Sequence, residues 1–67
     1  MKIKIPDQSI RNVTHETTLN PIEEQFWLAV CVAHYSALLK NGWAFPEAMI
    51  EAIKVADIAT GELVKRR

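Results

Sequence analysis

The chain has 67 residues, and its eight basic and eight acidic side chains give a formal net charge of zero. Hydrophobic residues make up 49% of the sequence, a fraction typical of a folded core and not of an intrinsically disordered chain. The length allows one domain. Because the net charge is zero, the chain as a whole is not attracted electrostatically to nucleic acid or to an anionic membrane.

The number of cysteines and the hydropathy indicate where in the cell the chain is expected to work. Cys31 is the single cysteine, so an intramolecular disulfide is excluded and a cytoplasmic location is expected. The first ten residues lack the apolar region of a secretory signal. The longest apolar run, residues 26–33, is eight residues long, well below the roughly 20 that span a bilayer.

Residues 1–19 form a polar N-terminal arm without a helical period. Within it, residues 2–5 alternate between lysine and isoleucine, as an edge strand does, and Ile10 and Val13 suit a return segment. An isolated hairpin is marginally stable in water. Two alternatives follow: an irregular arm, or a short strand paired across a dimer or with another partner.

Residues 20–67 predict a helical hairpin. Asn20 suits an N-cap, Pro21 suits the first helical position, and Glu23 completes a capping box. This helix is expected over 21–40, because Gly42 can adopt the left-handed conformation that ends a helix.

A second helix is expected over 46–64, with a proline and an acid in its first turn. Gly61 weakens the prediction near its end. The short connection between the helices predicts antiparallel packing. The fold class is therefore all-α: an antiparallel helical hairpin with an irregular or short-strand arm.

Apolar residues cover almost the whole circumference of the first helix, which is typical of a buried helix. One side carries Ile22, Phe26, Ala29, Val30, Ala33 and Ala37; the other carries Trp27, Leu28, Cys31, Val32, Tyr35, Leu38 and Leu39. The second helix has an alanine row at Ala48, Ala52, Ala56 and Ala59, and charged residues that mostly face away at Glu47, Glu51, Lys54, Asp57 and Glu62. We expect the two alanine rows to pack together and the bulkier side of the first helix to stay uncovered.

An uncovered apolar side of this kind indicates an interface. The predicted interface residues are Trp27, Leu28, Val32, Tyr35, Leu39, Trp43 and Phe45. Trp43 and Phe45 either cap the end of the core or, if exposed, anchor a partner. The simplest partner is a second copy, giving a dimeric four-helix bundle, and a different protein is the alternative.

Cys31 and His34 lie three residues apart, so they share a helix face and form half of a possible metal site. His15 with Glu16, or a second copy, would have to complete it. In the alternative reading Cys31 is a buried core residue, whose thiol has a raised pKa and is a poor nucleophile. We favour the core reading and predict no catalytic, metal or cofactor site, no enzymatic activity and no small-molecule substrate.

Positive charge lies at the two ends of the sequence. The C-terminus carries Lys65, Arg66 and Arg67, and the arm carries Lys2, Lys4 and Arg11. The helical body between them has more acidic than basic residues, which disfavours phosphate contacts, and a basic helix C-terminus is already favoured by the helix dipole.

The predicted function is therefore a small, non-enzymatic protein–protein interaction module. Chains of this size without site chemistry are often homo-oligomeric accessory regulators or inhibitors of larger protein assemblies, including those carried by phages and mobile elements. The alternative is a small dimeric DNA-binding transcriptional regulator that uses its basic ends.

Overall fold

The computed structural model describes residues 1–6 and 14–66. Its elements are β1 (Lys2–Pro6), β2 (Thr14–Thr18), α1 (Pro21–Lys40) and α2 (Phe45–Val64). The predicted bounds of α1 are confirmed, and α2 begins one residue earlier than expected. The predicted roles of Ile10, Val13, Arg11 and Arg67 lie outside the described residues.

The arm forms a β-hairpin. β1 pairs antiparallel with β2, with Lys2 opposite Thr18 and Pro6 opposite Thr14. The short strand is confirmed, but the expected pairing across a dimer or with another partner is not what forms it, because β1 pairs within the chain. The described chain is therefore mostly helical with a two-stranded sheet, and the all-α class omits that sheet. Residue Ile3 is buried, and β1 packs against α2, so the sheet is supported by a helix as a two-stranded sheet must be.

The capping box at the start of α1 is confirmed. The Asn20 side-chain oxygen accepts a hydrogen bond from the Glu23 amide at 2.8 Å, and the Glu23 carboxylate accepts one from the Asn20 amide at 3.0 Å. These two bonds satisfy amides that have no partner within the helix.

The end of α1 also follows the prediction. Gly42 has φ +87°, its amide donates to the Leu39 carbonyl, and the Trp43 amide donates to the Leu38 carbonyl, both at 3.1 Å. This pair of bonds is the Schellman motif, which needs a left-handed residue where glycine stands.

The two helices are antiparallel, as predicted. Contacts between them join Trp27 to Asp57, Cys31 to Ala52 and Ala56, and Tyr35 to Phe45. Residues further along α1 thus meet residues earlier in α2, which defines a hairpin of two antiparallel helices.

The predicted packing of one alanine row against the other is wrong for the row on α1. Ala48, Ala52 and Ala56 of α2 are fully buried, as expected. The side chains of α1 that pack over this part of the core are Trp27, Val30, Cys31 and Tyr35, whereas Ala29, Ala33 and Ala37 are exposed. Large side chains over small ones fill the space between the helices and bury more apolar area than alanine against alanine.

Within residues 1–6 and 14–66, neither helix combines the length and the apolar character that crossing a membrane requires.

Candidate protein interface on the first helix

The outer surface of α1 carries no charge over most of its length. Residues 25–39 include no Asp, Glu, Lys or Arg, and at 1.5 Å per residue this stretch is about 22 Å long. Apart from Gln25 and Ser36, its exposed residues are all apolar: Phe26, Leu28, Ala29, Val32, Ala33, Ala37 and Leu39. Single exposed apolar residues are common on proteins, but a continuous apolar surface indicates an interaction site.

The first part of this surface is a row that we call the front strip, consisting of Leu28, Val32, Tyr35 and Leu39. Its spacings of four, three and four residues place the side chains along one side of the helix. Leu28 is 57% exposed, Val32 55% and Leu39 40%. These are residues that the sequence predicts for an interface.

The front strip continues onto α2 through an aromatic contact. The rings of Tyr35 and Phe45 meet edge to face, with centroids 5.9 Å apart and planes at 84°. Phe45 is itself exposed. Met49 and Ile53 follow it at intervals of four residues, so they continue along the same side of α2, and Ile53 is also exposed. The apolar surface therefore includes both helices.

The other predicted interface residues divide into two groups. Trp43 is exposed in the connection, as Phe45 is at the start of α2, so they have the exposure that partner anchors require. Trp27 instead packs against the core, and its indole Nε1 donates a hydrogen bond to Asp57 Oδ1 at 2.7 Å. Asp57, which the sequence predicts to face away from the core, thus has a partner on α1.

A second apolar row lies on another side of α1. This back strip consists of Ile22, Phe26, Ala29 and Ala33, and Ile22 is 76% exposed. Beside it lie two open depressions, one of about 250 Å³ and one of about 190 Å³, and both are lined by Leu63 and Arg66. Phe26 lines the larger depression and Ile22 the smaller.

The sequence did not identify the back strip as a free surface. Its spacing was visible, but the expectation placed these residues against α2. Periodicity shows that α1 has several apolar sides. Which of them α2 covers depends on how side-chain sizes match between the helices, and periodicity does not contain that information.

Cys31 is buried with a free thiol, in agreement with the core reading. Burial raises the pKa of the Cys31 thiol above its ordinary value of 9.0, and the negative charge of Asp57 raises it further. The thiol therefore stays protonated at neutral pH, the less nucleophilic form. Among residues 1–6 and 14–66, no three His, Cys, Asp or Glu side chains come together as a metal site would require.

The basic ends lie partly beside acidic groups. Lys65 Nζ is 3.4 Å from Glu62 Oε1, and Lys2 Nζ is 3.5 Å from Glu16 Oε1. Exposed ion pairs such as these add little stability, but each one places a carboxylate where a phosphate would otherwise approach the lysine. Arg66 is exposed beside the back strip.

No protein-family model, curated protein or solved structure matches the chain.

Proposed function

We propose that the chain is a non-enzymatic protein–protein interaction module that works as a homodimer. The front strips of two copies pack together, and the two hairpins form a four-helix bundle. The observation that carries this proposal is the uncharged, exposed apolar surface of α1 at residues 25–39. Removing apolar surface from water yields about 25 cal/mol per Å², so covering this surface favours association.

The spacing of the front strip suits a second copy. Intervals of four, three and four residues read the same in both directions. In an antiparallel pair of α1 helices related by a two-fold axis, Leu28 therefore meets Leu39 of the second copy. Val32 meets Tyr35 of the second copy in the same way. A two-fold contact of this type uses the same patch on both chains, and the spacing is that of helices packed in bundles.

Charge also supports self-association. The front strip has no charged side chain, and the chain as a whole has zero net charge, so two copies do not repel each other. The front strip has no charged side chain that could pair with a strongly acidic or basic partner. A second copy presents the same uncharged strip, so its binding does not depend on charge pairing.

The biological role that follows is that of an accessory regulator or inhibitor of a larger protein assembly. A dimer closed by the front strips leaves the back strip of each chain, where Ile22 is 76% exposed, open to a target. A row of exposed apolar residues of this kind is a surface on which another protein can bind. The DNA-binding alternative gains no support from Lys2 and Lys65, since a carboxylate lies beside each.

The test is the substitution Val32→Glu. Val32 is 55% exposed in the single chain, so glutamate is compatible with the folded monomer. In the dimer the new carboxylate is buried without a partner, which costs about 3–5 kcal/mol. We therefore expect dimerisation to weaken by at least about 100-fold, measured by sedimentation equilibrium.

Ile50→Glu is the matched control. Ile50 is 68% exposed, and it lies two residues from Ala52, on the side of α2 that points away from α1. This variant adds the same charge and should dimerise as the unaltered chain does. A Val32→Glu chain that dimerises with unchanged affinity would show that the front strip is not the interface.

A further inference from the structure

We draw no further inference here: the strongest candidate, the exposed back strip of α1 with the two open depressions beside it at the end of α2, carries none, because nothing in the structure shows what covers it.

Discussion

The two helices have the same length, 20 residues each, but they differ in how charged residues are distributed over their surfaces. α2 buries an alanine row against α1 and a glycine against the β-hairpin, and its exposed residues include Glu47, Lys54 and Glu62. α1 contributes to the same core but has no charged residue between 25 and 39. The difference teaches that exposed apolar residues of α2, such as Ile50 and Ile53, are interspersed with charged ones, whereas α1 has a longer uncharged apolar surface that residues 1–6 and 14–66 leave uncovered.

The largest effect on folding is expected at the alanine row of α2. Ala52 is fully buried, so Ala52→Leu forces extra atoms into a filled space and should lower the free energy of unfolding by about 1–3 kcal/mol. Urea denaturation measures this change. Ala37→Leu is the matched substitution on α1, and it should be close to neutral because Ala37 is exposed. Equal losses at both positions would contradict the contrast between the helices.

The contact between α2 and the β-hairpin is tested by Gly61→Ala. At a solvent-exposed position inside a helix, replacing glycine by alanine raises the free energy of unfolding by about 1 kcal/mol. Here the added Cβ would lie 2.5 Å from Ile5 Cγ2, so either the Ile5 side chain must leave its position or the hairpin must move away from α2. We expect a net loss of roughly 1–2 kcal/mol, in the range of overpacked core substitutions, together with faster hydrogen exchange of the β1 amides.

Ile5→Ala provides the control for this prediction, because it removes the side chain that the new Cβ would strike. In that background Gly61→Ala should become stabilising, as in an ordinary helix. If Gly61→Ala stabilises the unaltered chain as well, the hairpin does not pack on α2 as described.

A smaller effect is expected where α1 and α2 are joined by a hydrogen bond. Trp27→Phe keeps an aromatic ring in place but removes the Nε1 donor to Asp57. Since this bond is only partly buried, the expected loss in the free energy of unfolding is about 1 kcal/mol. Trp43→Phe is the control on an exposed tryptophan and should have no measurable effect. A Trp43→Phe loss as large as that of Trp27→Phe would mean that Trp43, too, is a core residue.

The bounds of α1 could be predicted from the sequence because capping residues mark both of its ends. Asn20 with Glu23 begins α1, and Gly42 ends it, through hydrogen bonds between residues that are neighbours in the chain. Cys31 was predictable as a buried residue for a similar reason, because it lies in the middle of a long apolar run.

Structure that depends on distant contacts was less predictable. β2 has the polar sequence THETT, which carries no strand alternation, and it becomes a strand because β1 pairs with it and β1 packs on α2. The side of α1 that faces α2 is likewise chosen by contacts such as that of Trp27 with Asp57, 30 residues apart. Side-chain size and a hydrogen bond across the hairpin decided between apolar sides that periodicity treats as equivalent.

The central claim is that the uncharged surface of α1 is covered by other copies of the chain. Sedimentation equilibrium of the unaltered protein over a wide range of concentrations measures this most directly. One chain has a mass of 7.6 kDa, and we predict particles of at least two chains that dissociate on dilution. A mass of one chain at every concentration, together with an unchanged fold, would contradict the account.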